Sequence, residues 1–164
     1  METVPLKVVV LNAIPEAIVL MYLGLTLIGI KPDKKRVVVA GILQGAAYYY
    51  IRKNVDFGTH IFMQCASFVL LTWLIVKVSF IASVIANTVS ITLAILLESS
   101  IGFMIAYITG ITITEMMSRE WIRVLWCLPY LFVILFITFL VGKYKFTLEE
   151  EISLIKKIDK RVKG

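Results

Sequence analysis

The chain has 164 residues, of which 60% are hydrophobic and 17% charged, with a mean hydropathy of +0.92. That is too little polar surface to coat a soluble globule, so the composition excludes a soluble enzyme or binding domain and points to an integral membrane protein. The net charge of +6 reads as membrane topology and attraction to anionic lipid, with no need for nucleic acid as a partner.

Crossing the ~30 Å hydrocarbon core takes about 20 apolar residues per helix. Five runs meet or approach that length: Val8 to Ile30, Val37 to Ile51, Thr59 to Val76, Phe80 to Ile108 and Trp121 to Val141. The expected fold is all-α, a polytopic bundle of about five transmembrane helices over residues 1–142, followed by a short basic amphipathic helix on the cytoplasmic side over 143–164.

The first run carries Glu2 and Glu16 and lacks a basic leader, so it is not a convincing secretory signal. Within it, Pro15 removes a backbone donor just before Glu16, and the freed carbonyls at such a kink can line a site. The second run is the shortest, at 15 residues, and is further weakened by Gln44 and Gly45; it is expected to tilt or re-enter. Gly41 and Gly45 give it a small-xxx-small face, and Tyr48, Tyr49 and Tyr50 end it as an interfacial belt would.

The third run opens on His60 and contains Gln64 and Cys65. The fourth is long, with Glu98 as its only charge and a candidate break near Ser99, Ser100 and Gly102 that would bend or divide it. Asn87, Thr88, Ser90, Ser99 and Ser100 suit interhelical hydrogen bonding, and Gly102 and Gly110 suit close helix approach. Trp121 and Trp126 begin the fifth run as belt residues. Cys65 and Cys127 fall inside spans, with no metal-binding cysteine pattern and no cofactor motif nearby.

Five spans place the loop Lys31, Lys34, Lys35, Arg36 and the basic tail on one side, which the positive-inside rule makes cytoplasmic. Twelve of the 17 basic residues then lie inside, and the N-terminus lies outside. At 1.5 Å per residue, Glu16 falls roughly 12 Å and Glu98 roughly 15 Å below the outer surface. Gln44 and Gln64 belong to the same outer half.

An ionisable group at such depth costs a few kcal/mol and must find a partner or a cavity. Glu16, Glu98, Gln44, Gln64 and His60 are therefore the candidate ligand-binding or proton-linked residues of an outer pocket, favouring a cationic or donor-rich ligand. Packing alone is the competing account of the two glutamines. His60 and Cys65 also invite a cysteine-peptidase reading. Their five-residue spacing turns the side chains about 140° apart on a helix, which argues against it.

In the tail, Thr147 to Glu150 form a capping box. Leu148, Ile152, Ile155, Ile158 and Val162 then recur at helical spacing. Residues 147–163 are thus expected to lie on lipid, to dimerise, or to dock a signalling partner. The order Ile14-Pro15-Glu16-Ala17, Tyr22-Leu23-Gly24-Leu25, Gly29-Ile30-Lys31-Pro32, Phe57-Gly58-Thr59-His60 and Thr109-Gly110-Ile111-Thr112 resembles the membrane sensor segment of Gram-positive GHKL-type histidine kinases, the group of the accessory-gene-regulator receptors.

That resemblance implies a bacterial cell-membrane protein that receives an extracytoplasmic signal and transmits it through a cytoplasmic helix. No phosphoacceptor helix or nucleotide-binding motif accompanies it here, so kinase activity is not carried over. The expectation is a stand-alone, non-catalytic sensor-like or regulatory subunit. The alternatives are a small-molecule transport subunit using the two glutamates, a membrane peptidase, and a structural scaffold indifferent to their neutralisation.

Overall fold

The computed structural model describes residues 5–55, 58–111, 115 and 120–144. The amphipathic helix expected over 147–163 lies outside the described residues. Those described are helical, with no strand among them. Five helices form one bundle: α1 Leu6–Leu27, α2 Lys34–Asn54, α3 Thr59–Val76, α4 Phe80–Thr109 and α5 Glu120–Tyr144.

Four of these, α1, α3, α4 and the Val124–Tyr144 part of α5, are long and apolar enough to cross a membrane. The protein is therefore a helical membrane protein. The fifth expected span is different. Helix α2 has the length, 21 residues, but its ends carry Lys34, Lys35, Arg36, Arg52 and Lys53. It is an uninterrupted helix packed between α1 and α3, not a re-entrant segment.

Local chemistry sets the ends. Asp33 caps α2 by accepting the Lys35 N–H at 2.9 Å, and its other oxygen faces Arg36 Nε at 3.7 Å. Ser79 caps α4 through the Ala82 N–H. Gly110, at φ +69°, stops α4 in the left-handed conformation that glycine adopts without strain. A Cβ added there would meet nothing within 4 Å among the described residues, so it acts as a terminator and not as the close-approach residue expected from the sequence. The candidate break near Ser99 and Ser100 is absent. Helix α4 runs unbroken for 30 residues, and Ser100 donates to the Leu96 carbonyl of its own helix.

Helix α1 is the centre of the bundle. It packs on α2, α4 and α5, while α3 closes the arc between α2 and α4. Small residues allow this. Ile14 and Ile18 of α1 sit against Gly45 and Gly41 of α2, and Gly24 of α1 packs so closely on α4 that a Cβ added there would run into the Ala86 backbone and lie 3.0 Å from Ser90 Oγ. Around Gly24 the core is dense, with Met21, Leu23, Leu25, Ala40, Ala82 and Ala86 fully buried. Polar pairing holds α3 to α4: Asn87 donates to Thr72 Oγ1 at 3.1 Å and to the Phe68 carbonyl at 3.4 Å.

Candidate functional site

Pro15 has no N–H for the Leu11 carbonyl and its ring would crowd that oxygen, so the preceding turn must widen. It does so as a π-helical turn over Val9–Ala13, a form that α-helices adopt rarely and often near functional sites. Asn12 lies in this turn and Glu16 one turn further on. Both line a cavity of about 390 Å³ walled by residues of all five helices.

The contacts between helices fix the register of this cavity. Ile14 beside Gly45 and Ile18 beside Gly41 show that α2 runs antiparallel to α1, Gly24 beside Ala86 with Glu16 and Glu98 lining one cavity shows the same of α4, and Gln44 on the Gln64 carbonyl sets α3 level with α2. Lys7 over the Trp121 ring and Tyr130 on Glu16 show that α5 runs parallel to α1. Glu16, Gln44, Gln64, Glu98 and Tyr130 consequently occupy one layer across all five helices. Four of the five residues expected from sequence line the cavity: Glu16, Glu98, Gln44 and Gln64.

The fifth does not. His60 is buried, and its Nδ1 accepts the Gly58 N–H at 3.2 Å, so it secures the first turn of α3. The imidazole is not among the side chains that line the cavity. Cys65 does line the cavity, so His60 and Cys65 face different surroundings.

Each polar group in the layer has its own circumstances. Tyr130 donates its hydroxyl to Glu16 Oε1 at 3.0 Å. Tyr130 follows Pro129 as Glu16 follows Pro15, so the bond joins two helices just past a proline in each. Gln44, only 2% exposed, donates to the Gln64 carbonyl at 3.4 Å and accepts from Ser67 Oγ at 3.1 Å. It therefore bridges α2 to α3 as well as lining the cavity. Glu98 reaches the cavity from α4 and is exposed, lining the same chamber as Glu16.

Asn12 is one of the residues that sequence reasoning missed. It is 4% exposed, it lines the cavity, and neither its Oδ1 nor its Nδ2 has a hydrogen-bond partner among the described residues. Its signal was available, since it sits four residues before Glu16 on the same helical face. Arg52, one of the five basic residues that the five-span count leaves outside, lies over the Tyr48 ring at 5.8 Å with its Nε buried and without a hydrogen-bond partner among the described residues. It lines the cavity eight residues beyond Gln44, about 12 Å along the axis.

Two belt residues are also reassigned. Tyr48 and Trp126 contribute to the cavity wall, whereas Tyr50 and Trp121 are exposed as a belt requires. Ser90, Ser100 and Thr109 bond back to carbonyls of their own helix, so their hydroxyls do not join helices. No group of three metal-ligating side chains occurs among the described residues.

The chemistry on offer is thus two carboxyls and two carboxamides from four helices at one depth, an arginine above them, and aromatic and aliphatic walls. Such a chamber can hold a small molecule with a donor-rich or cationic head and an apolar body. Compared with protein-family models, curated proteins and solved structures, the chain matches none, so what can be said of the cavity rests on its own residues.

Proposed function

We propose that this chain is a membrane receptor subunit that takes a small amine-bearing ligand into the cavity from the extracytoplasmic side and relays its occupancy to a cytoplasmic partner. The observation that carries the reading is the layer of Glu16, Gln44, Gln64 and Glu98 around a cavity into which the unpartnered Asn12 projects. A buried amide with no partner costs about 1–3 kcal/mol, and a ligand that satisfies it recovers that penalty on binding. The ammonium group belongs near Glu16 and Glu98, and the apolar body along Phe68, Ile91 and Trp126. Relay runs through α5, which holds Glu16 by Tyr130 and leads into the C-terminal tail.

A second reading, a proton-linked transport subunit, is favoured by Pro15 and Pro129. Proline-interrupted helices meeting at an intramembrane carboxyl are a recurrent arrangement in transporters. In a Cys65→Ala, Cys127→Ala background, single cysteines at positions 16, 44, 64, 98 and 164 are probed in intact cells with an impermeant thiol reagent. The receptor reading expects labelling at 16 and 98, protection of 164, and slower labelling of 64 in the presence of hexylamine. Labelling of 164 with none at 16 and 98 would overturn both the orientation and the pocket. Accumulation of radiolabelled hexylamine in proteoliposomes would select transport.

A further inference from the structure

A second depression lies on the opposite half of the molecule, between α2 and α5 and floored by α1. Its volume is about 530 Å³. The walls are apolar: Tyr22 of α1, Val38 of α2, and Leu135 and Phe139 of α5, the last three exposed. Gly142 continues the α5 wall, and a Cβ added there would meet nothing within 4 Å. The groove therefore widens at this point by the lack of a side chain.

Charge is confined to one end. Lys34 and Lys143 line the groove there and are exposed, and neither has an acidic partner among the described residues. The neighbouring acid, Asp33, is already engaged with the Lys35 N–H and with Arg36. The Lys143 ammonium lies 6.0 Å from the ring centroid of Phe139, on the groove wall, and 5.6 Å from that of Tyr144. From Leu135 to Lys143 the groove extends about 12 Å along α5.

We infer that this groove is a binding site for an anionic phospholipid, with the phosphate held between Lys34 and Lys143 and one acyl chain along Tyr22, Val38, Leu135 and Phe139. The two-part chemistry argues for this occupant. A paired ammonium end at the helix termini matches a headgroup at the membrane surface, and the apolar channel runs from there toward the bilayer centre. Basic pockets between transmembrane helices recognise anionic headgroups in this way. A protein partner would need no such channel, and a soluble anion would not use its walls.

The full-length protein is reconstituted in nanodiscs of phosphatidylcholine and phosphatidylglycerol, and retained lipid is counted by native mass spectrometry. Wild type is expected to retain one phosphatidylglycerol in preference to phosphatidylcholine. Gly142→Leu, which fills the groove, abolishes retention, whereas Gly142→Ala keeps it. Lys34→Gln with Lys143→Gln reduces the preference about thirtyfold, as two surface charges imply, and tests the site even if Gly142→Leu does not fold. Equal retention of both lipids by wild type would overturn the inference, as would unchanged retention by folded Gly142→Leu. Retention seen only after residues 145–164 are removed would overturn it too, by showing that the chain's own tail fills the groove.

Discussion

The bond between Tyr130 and Glu16 ties the central helix to α5 at the level of the cavity, and its contribution can be worked from its geometry. Its O···O distance of 3.0 Å is at the long end for a hydroxyl donor and beyond the 2.5–2.7 Å typical of charge-assisted O–H···O⁻ bonds. The expected strength is therefore that of an ordinary hydrogen bond, about 1 kcal/mol. Interhelical bonds in bilayers average about 0.6 kcal/mol because the unfolded chain in the membrane also finds partners. Tyr130→Phe should thus destabilise the protein by about 0.6–1.5 kcal/mol. The same substitution in a Glu16→Ala background should have almost no effect, giving a coupling energy of that size. Glu16→Gln should keep most of the coupling, since an amide oxygen also accepts from a hydroxyl. Reversible SDS unfolding in bicelles reads all four corners of the cycle. A coupling below about 0.3 kcal/mol would refute the bond, because additive pairs agree only to that precision; a coupling above about 3 kcal/mol would instead require a strong ionic bond that the distance does not support.

Asn12→Leu should raise the stability of the ligand-free protein by about 1–2 kcal/mol, because it removes a buried amide with no partner, while weakening hexylamine protection of a cysteine at 64; unfolding and labelling rates check the two halves separately. Gly24→Ala should destabilise by about 1–3 kcal/mol, since its Cβ runs into the Ala86 carbonyl group and Ser90 and overpacking outweighs the gain in helix propensity. Gly142→Ala, into open space, should instead stabilise by about 0.5–1 kcal/mol; identical effects at the two glycines would refute the packing account. Asp33→Ala should cost about 1 kcal/mol through the lost α2 cap, visible as earlier unfolding in the same SDS titration.

That Glu16, Gln44, Gln64 and Glu98 share one layer of the bundle was legible because the helical rise is constant, so counting residues from each run's end places side chains on a common scale. Helix α2 was harder to assign to the membrane because its apolar run is short and holds Gln44 and Gly45, while its interior packs against α1 and α3; composition and burial here give different answers. The serines near residue 100 looked like a break by residue type, yet Ser100 bonds its own Leu96 carbonyl and leaves the helix intact. His60 does not line the cavity, and its contact with the Gly58 N–H two residues earlier is a local one with no sequence signature. Tyr130 was not found at all. Its role depends on the register between α1 and α5, which no run of either helix encodes alone.

The bundle holds its cavity at one half for a reason that lies in the distribution of small residues. Gly24 against Ala86 brings α1 and α4 into backbone contact in the half that carries the basic loop, and the most tightly buried side chains collect there. Toward Glu16, eight residues or about 12 Å away along α1, no glycine joins these two helices. At the crossing angle of about 20° usual for such bundles, that length separates their axes by roughly a further 4 Å, enough to admit a ligand's width between side chains. On the other flank, Gly41 and Gly45 keep α2 pressed to α1 along the same stretch. Opening is therefore confined to the side of α1 that faces α3 and α4, where Asn12, Glu16 and Glu98 lie. A substitution that relaxes the Gly24 contact is then expected to reshape the cavity from a distance. Cysteine labelling at 98 in Gly24→Ala tests this, and an unchanged rate in the folded variant would show that the two halves are mechanically independent.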